Sequence, residues 1–504
     1  MPATMGVDIG TTGCKAAAFD EGGRLLSNAY REYPLSHPEP GAAELDSAEV
    51  LCACDEVIRE ACAKSGVSVE ALAISSQGES FTALDGEGKI LHPALVSSDA
   101  RPGGQIPWFL RSFPKERLYQ ITGHTPQALF TIFKLLWFRE KRGALFQRSR
   151  HFLCFEDLLQ KHLGIEPHMG WPLAGRTLLF DVNAHRWNAE LLSLAGVQES
   201  QLAKPVPSGS VCGILPDDRC DALGLAKGCR VVAGGHDQSC GALGAGVVEE
   251  GIAMYGSGTV DCITPCFRSP IRSANLAQAN LVTYDFALPR HYTTVAYSLT
   301  GGNLFRWFRD EFGGMEKNLA KSGGRDAYDL LLEQMPDEPS RLLVLPYFTP
   351  SGTPYFDAAT PGAILGLRLD TGRGEILRGL MEGVAMEMRL NLDLLGRNGI
   401  PVRELRAIGG GARNRKLLQL KADALGVPLT TVKVSEAGCL GAAMLSRAAL
   451  GGATIEELSR HWVERVETLE PKEACRARYQ ERFESYQRAY PVLKELSETM
   501  HKPA

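Results

Sequence analysis

The chain of 504 residues is too long to be organised around one hydrophobic core, so two large domains are expected. With 44% hydrophobic and 22% charged residues, it has the composition of an ordinary soluble globular protein. A net charge of -5, with no basic run or basic-aromatic stripe, argues against a nucleic-acid partner, which would need a concentrated basic face.

The N-terminus goes straight into a strand-like run with no secretory pattern, and no apolar stretch is long enough to span a bilayer. A cytoplasmic protein with no membrane partner is therefore expected. Residues 5–9 form a short apolar strand that breaks at Gly10-Thr11-Thr12-Gly13 and resumes over 14–20, where Glu21-Gly22-Gly23 turns the chain. Ser47–Ser65 is apolar at helical spacing, with Asp46 or Ser47 as N-cap. Residues 69–76 return to strand, and this hairpin, helix, strand order indicates mixed α/β layers. Thirteen cysteines would suggest a disulfide framework in a small secreted protein. In a long chain without an export signal they read as reduced, mostly buried thiols, and neither Cys52-x-Cys54 nor Cys262-x3-Cys266 has partners at zinc spacing.

The pattern recurs in the second half. Residues 251–254 lead into a turn at Tyr255-Gly256-Ser257-Gly258-Thr259, and 260–263 continue as a strand. Two halves, each with a glycine-rich hairpin, would make a clamp for a polyphosphate at the domain interface. Further on, 375–395 reads as a long amphipathic helix, 405–408 as a strand, 409–412 as a turn and 414–425 as a helix ended by Gly426. Residues 435–450 are Gly/Ala-rich and helical, suited to close backbone packing. The charged stretch 455–496 reads as terminal helices on the surface.

Three constellations carry chemistry. In Asp8-Ile9-Gly10-Thr11-Thr12, a carboxylate at a strand end can hold hydrated Mg²⁺, and the following glycine and threonines can turn N–H and hydroxyl groups toward phosphate oxygens, with Lys15 adding a point charge. Taken alone, the segment fits a plain polar hairpin turn as well. The spacing is not that of a P-loop. In Gly234-Gly235-His236-Asp237-Gln238, a carboxylate follows a strand through two glycines, where a ligand can reach it; Asp237 could accept a proton from an attacking hydroxyl, or simply cap a helix. Gln238 would bond a neighbouring hydroxyl, and His236 reads as structural. In Gly409-Gly410-Gly411-Ala412-Arg413-Asn414, glycines between strand and helix let the backbone approach a flat ligand; the spacing does not match the dinucleotide fingerprint.

With these segments in this order, the chain resembles the FGGY carbohydrate kinase family of the actin-like ATPase superfamily, over roughly residues 5 to 450. One family signature has its counterpart from Thr131 through Lys134 and Trp137 to Glu140, departing at Leu129 and Lys141. A second runs from Gly362 through Gly366 and Leu367 to Met381 and Glu382, with Gly379 and Leu380 in place of small residues. The resemblance implies an α/β fold of two actin-like (ribonuclease H-like) ATPase domains with the active site in the cleft between them. The division expected is an N-terminal domain over 1–245, on the sugar and phosphate side, and a C-terminal domain over 246–504, on the nucleotide side. It further implies ATP and Mg²⁺ as cofactors, Asp237 as general base, and metal ligation by Asp8 with Asp237. Thr11, Thr12 and Lys15 would meet the phosphates, with Gly258 and Thr259 in a second phosphate hairpin. Gly301 and Gly302 would line the nucleotide cleft, and Gly410, Gly411 and Asn414 would hold the adenosine. Members of the family often dimerise, so a homodimer is a family-based expectation.

The acceptor that the resemblance implies is a small sugar or polyol. Its loop is expected at Gln77-Gly78-Glu79-Ser80, with Asp99, Asp237 and Gln238 completing the pocket. Phe130 to Trp137 and the glycines before Asp237 are most similar to xylulose kinases, which points to a ketopentose. The Gln77 loop and the Asp237-Gln238 pair are more similar to glycerol kinases, which keeps a glycerol- or tetritol-type polyol open. A non-catalytic sugar-sensing member of the fold is disfavoured, because neither Asp8 nor Asp237 is lost.

Overall fold

The computed structural model describes residues 3–357 and 359–500. In its N-terminal half, the strand Ala3–Ile9 pairs antiparallel with Gly13–Phe19, which pairs with Leu25–Glu32. On its other side Ala3–Ile9 runs parallel to Val69–Ser76, then Arg230–His236, and the antiparallel Val211–Ile214 closes the edge. Every residue of Ala3–Ile9 except Asp8 is buried, as a central strand covered on both faces requires. The helix Ser47–Ser65 covers one face. Its Asp46 side chain accepts from the N–H groups of Ala48 and Glu49, and Gly66 ends it in the left-handed conformation.

The second half repeats this winding. Asp261–Phe267 pairs antiparallel with Ile252–Ser257, which runs parallel to Glu404–Ile408 and then Leu429–Val432, and the antiparallel Arg465–Leu469 closes that edge. Two sheets of one topology are the duplication suggested by the paired Gly/Thr hairpins. The second turn lies later than the sequence suggests: Tyr255, Gly256 and Ser257 belong to the strand, and Gly258 to Val260 make the turn.

The halves meet through two helices. Asp237–Gly244 follows Arg230–His236, and Ala437–Ala449 follows Leu429–Val432, the corresponding strand of the second half. Glycine lets them touch backbone to backbone. A Cβ on Gly244 would lie 1.9 Å from the Ala437 carbonyl oxygen, and one on Gly441 would lie 2.0 Å from that of Cys240. A Cβ on Gly6 would lie 1.8 Å from the Cys439 carbonyl oxygen, so the second helix also sits directly on the first strand.

The C-terminal stretch corrects the surface-helix expectation. Arg465–Leu469 is a sheet strand, and the helix Glu473–Met500 buries Tyr479, Phe483, Tyr486 and Tyr490. Those rings pack on Arg373–Arg397, where buried Glu387 accepts hydrogen bonds from the hydroxyls of Tyr347 (3.1 Å) and Tyr486 (2.5 Å). Burial pushes the Glu387 carboxyl from 4.5 up to about 7. The folded chain then keeps this proton at pH values where the unfolded chain has lost it. Stability from this group is full below about pH 4.5 and falls by up to about 3 kcal/mol as pH rises through 7. Urea midpoints of wild type and Glu387→Gln, compared between pH 4.5 and 7.5, should converge at the acid end and separate toward neutrality.

All thirteen cysteines are free, and all but Cys52 and Cys212 are buried. No described helix is long and apolar enough to cross a membrane.

Candidate active site

The end of the first strand places Asp8 opposite Lys15 on one side and Ser75 on the other. The Ser75 hydroxyl donates to Asp8 Oδ1 at 2.7 Å. Burial raises the pKa of Asp8, opposed by that hydrogen bond and by Lys15. Lys15 is not free, since its Nζ lies 2.7 Å from Glu436 Oε2, just before the helix Ala437–Ala449. The start of that helix reaches Asp8 because residue 438 is glycine: a Cβ there would stand 2.7 Å from Asp8 Oδ2. The Gly10 turn is held by the Tyr33 hydroxyl, which donates to the Gly10 carbonyl at 2.6 Å. Thr11 is half-buried and Thr12 exposed at its tip.

Gln77 bridges the expected acceptor loop to the first hairpin. Its amide donates to the Gly10 carbonyl at 3.1 Å and accepts from the Thr11 hydroxyl at 3.1 Å, so its side chain holds the first hairpin. Asp99 is also held by partners within the protein. Its carboxylate is fully buried, accepts from the Ala43 N–H and binds Arg101, which also reaches Glu39 and Glu44 and lies 4.2 Å over the Trp137 ring. It anchors a neighbouring loop rather than facing a ligand.

Asp237 begins its helix after an irregular strand end. The pairing with Val69–Ser76 shifts register between Ala233 and Gly235, and Gly235 has φ +130°. Both backbone groups of Gly234 are taken by side chains: its N–H donates to Glu156 Oε1 at 2.9 Å, and its carbonyl accepts from the Ser208 hydroxyl at 2.6 Å. This bulge re-aims the strand end. Glu156 Oε2 accepts from the Gly170 N–H at 3.0 Å, and burial lifts its carboxyl to about 8 although both N–H groups favour the ionised form.

The carboxylate of Asp237 accepts from the Gln238 N–H at 2.6 Å and lies 3.2 Å from His236 Nε2. Burial between the halves, then the nearby Asp8 and Glu79 carboxylates, push its pKa from 3.8 up to about 8 against the pull of Gln238 N–H and Arg176. Its side chain is still 30% exposed. His236 is buried, and its Nδ1 meets the Tyr284 hydroxyl at 3.0 Å; burial and Arg176 hold its pKa well below 6.5, so it is neutral. Gln238 Oε1 accepts from Cys262 Sγ at 3.3 Å, linking this helix to the second hairpin.

Glu79 has φ +65°, a strained conformation for a side chain of its size. The helix Thr131–Lys141 holds it there: the Thr131 hydroxyl donates to its carbonyl at 3.0 Å and Lys134 Nζ at 2.9 Å. Glu79 Oε1 accepts from Arg176 Nε at 2.5 Å and also from a terminal nitrogen of that guanidinium. A Cβ on Gly78 would meet His236 at 2.9 Å and Arg176 at 3.4 Å, so both side chains crowd against the loop.

A cavity of about 590 Å³ opens on the second hairpin, bordered by Gly258 and Thr259, by Gly301 and Gly302, and by Gly410, Gly411 and Asn414. The Gly302 N–H donates to the Gly258 carbonyl at 2.9 Å, and a Cβ on Gly302 would come within 2.5 Å of that oxygen. A Cβ on Gly411 would lie 2.2 Å from Ser257 Oγ. Asn414 caps the helix Arg415–Leu425 and donates to Asp329 at 2.9 Å. Buried Lys421 supports the floor, bonding Ser257 Oγ at 2.7 Å and Asp261 Oδ2 at 2.6 Å.

Arg176, Tyr284, Glu156, Lys421 and Glu436 do not stand out in the sequence. Each comes to the site from a distant segment.

The two halves correspond to two known family domains. Residues 3–244 match the N-terminal domain of the FGGY family of carbohydrate kinases and residues 253–450 its C-terminal domain. A xylulose kinase of Bacillus subtilis (strain 168) is 25% identical over 506 residues, covering 99% of this chain and 98% of that protein. A glycerol kinase of Aromatoleum aromaticum is 30% identical over 509 residues, covering 95% of this chain and 98% of that protein. The solved ligand-bound xylulose kinase from Lactobacillus acidophilus has the same fold, with TM-score 0.90 at 22% identity, covering 98% of this chain and 99% of that one. With both family domains in order, a relative at 30% identity across nearly the whole chain and a duplicated sheet topology, the chain belongs to the FGGY family of carbohydrate kinases.

Proposed function

We propose that this kinase transfers the γ-phosphoryl group of ATP to a hydroxyl of a small sugar or polyol, acting in the cytoplasm, and that a ketopentose such as xylulose is the acceptor. The observation that carries this reading is the approach of Asp8 and Asp237, from strand ends on either side of Val69–Ser76 in one sheet, in a fold whose second hairpin borders a glycine-lined cavity of about 590 Å³. In this reading the cavity takes the adenosine against Gly301, Gly302, Gly410, Gly411 and Asn414, and the hairpins at Thr11–Thr12 and Gly258–Thr259 take the phosphates. Residues 1–245 supply the acceptor and phosphate side, and residues 246–504 the nucleotide side.

Asp237 accepts the proton of the attacking hydroxyl, and its raised pKa suits a base working near neutrality. Gln238 and Glu79 orient the neighbouring hydroxyls. Lys15 reaches a phosphate only by leaving Glu436. Asp8 and Asp237 suit magnesium, because both offer hard oxygen donors. Two carboxylates, without a larger His/Cys/Asp/Glu cluster among the described residues, suit an ion that keeps most of its waters. When bound, magnesium would neutralise charge on the nucleotide phosphates. Closing the halves over both substrates would exclude water, the competing acceptor.

A glycerol- or tetritol-type polyol is the second reading, favoured by the 30% identity to a glycerol kinase and by Gln238 beside the base. Coupled ADP release with MgATP and D-xylulose, L-xylulose, D-ribulose, glycerol and erythritol separates the two. Strong turnover of a ketopentose, abolished in Asp237→Ala, supports the first reading. Turnover confined to glycerol or erythritol moves the second ahead.

A further inference from the structure

The electrostatics around Glu79 bear on which acceptors the site can admit. Two cations stand near this residue. Lys134 is fully buried with its ammonium on the Glu79 and Leu129 carbonyls, at 2.9 and 2.6 Å, and has no route to a ligand. Arg176 spends two of its nitrogens on Glu79 Oε1. Its guanidinium is further fixed 5.0 Å from the Phe130 ring and 5.4 Å from the Tyr284 ring, and Nη1 lies 3.3 Å from His124 Nε2. Both partners are deep in the protein, with Arg176 9% and Glu79 4% exposed. His124, the histidine against the Arg176 guanidinium, is neutral, because burial and Arg176 disfavour its charged form.

We infer that the acceptor pocket is built for an uncharged polyhydroxy compound and rejects sugar acids, because the guanidinium that could bind a carboxylate is already neutralised by Glu79. This deepens the reading above and rests on it for the location of the acceptor. A neutral acceptor can use the pocket without breaking the pair, since Glu79 Oε2 accepts no hydrogen bond among the described residues and is free to take a substrate hydroxyl. An aldonate would have to draw Arg176 away from Glu79, leaving a buried carboxylate without its counter-charge. It would also bring its own negative charge toward Asp237 and Asp8. Arg176 and Glu79 are thus specificity-determining as a pair, and the sign of the pocket can be changed at either partner.

Acceptors of matched length provide the test. With the full-length enzyme and MgATP, kcat/KM for D-xylulose or xylitol is expected to exceed that for D-xylonate by at least about 100-fold, the discrimination typical of an unmatched buried polar contact. Glu79→Gln frees the charge of Arg176 and should shift this ratio at least about tenfold toward the acid, whereas Arg176→Met should give no gain with the acid. Calorimetric binding of xylitol and D-xylonate to the wild type, in the presence of a non-hydrolysable ATP analogue, reads the same selectivity without turnover or substitution. If no ADP forms from any acceptor, the kinase reading fails, while preferential binding of xylitol still supports the selectivity of the pocket. Wild-type binding or turnover of D-xylonate within tenfold of the neutral compounds overturns the inference. So does binding of neither compound, or a folded Glu79→Gln protein with an unchanged ratio.

Discussion

Asp237→Asn is expected to lower kcat by about 10²–10⁴-fold, the range over which a positioned general base acts. The substitution is conservative in shape: asparagine keeps an oxygen to accept from the Gln238 N–H, now at 2.6 Å, and still fits beside His236. It removes the proton acceptor and one negative charge from a place already crowded by Asp8 and Glu79. The same crowding gives the variant a second signature. A carboxyl whose pKa rises from 3.8 in the unfolded chain to about 8 in the fold destabilises the native state increasingly above pH 3.8. Neutral asparagine does not carry that penalty. Asp237→Asn should therefore melt higher than wild type at pH 7.5 while nearly inactive, a trade of stability against activity expected of a strained site. A lower melting temperature together with lost activity would instead mark a folding defect and remove the argument for a base.

Asp8→Asn is expected to cost about 10² or more in kcat, the scale of losing one fixed electrostatic contact to the transferring group. Asparagine can still accept from the Ser75 hydroxyl at the present 2.7 Å, and with glycine at 438 its side chain meets no Cβ there, so the fold should be kept. What is lost is the charge. The half-saturating magnesium concentration should rise in Asp8→Asn, with the acceptor KM little changed. Magnesium titrations of ADP release separate this from a general loss of structure, which would move both constants.

Local chemistry makes the first part of the fold legible. Asp46, the apolar spacing of Ser47–Ser65 and Gly66 define a helix with both ends marked, and the first hairpin is punctuated by glycine on either side. Two of the glycine clusters around the cavity, at Gly256 to Gly258 and at Gly409 to Gly411, are legible for the same reason, since a backbone that must approach another group closely has to omit its Cβ, whereas Gly301 and Gly302 follow from the family resemblance alone. Residues that act through long-range pairing leave no such mark. Arg176 meets Glu79 across 97 residues and Lys421 meets Asp261 across 160. His236 is an isolated histidine in the sequence, and Tyr284, from the second half, supplies its partner only in the fold. Gln77 and Asp99 stand out for their polarity near the acceptor loop, yet backbone and cation partners absorb both side chains. The C-terminal helix does carry a readable signal: Tyr479, Phe483, Tyr486 and Tyr490 recur at helical spacing within a charged segment. Counting charge alone hides that stripe.

The central claim is that Asp237 serves phosphoryl transfer to an acceptor hydroxyl rather than hydrolysis of ATP. Phosphorus NMR of a reaction containing MgATP and the best neutral acceptor tests it directly. The account predicts one new phosphate-monoester resonance growing in step with ADP, little inorganic phosphate, and loss of the ester signal in Asp237→Asn. ADP accompanied by inorganic phosphate and no ester, or an ester formed equally well by Asp237→Asn, would contradict it.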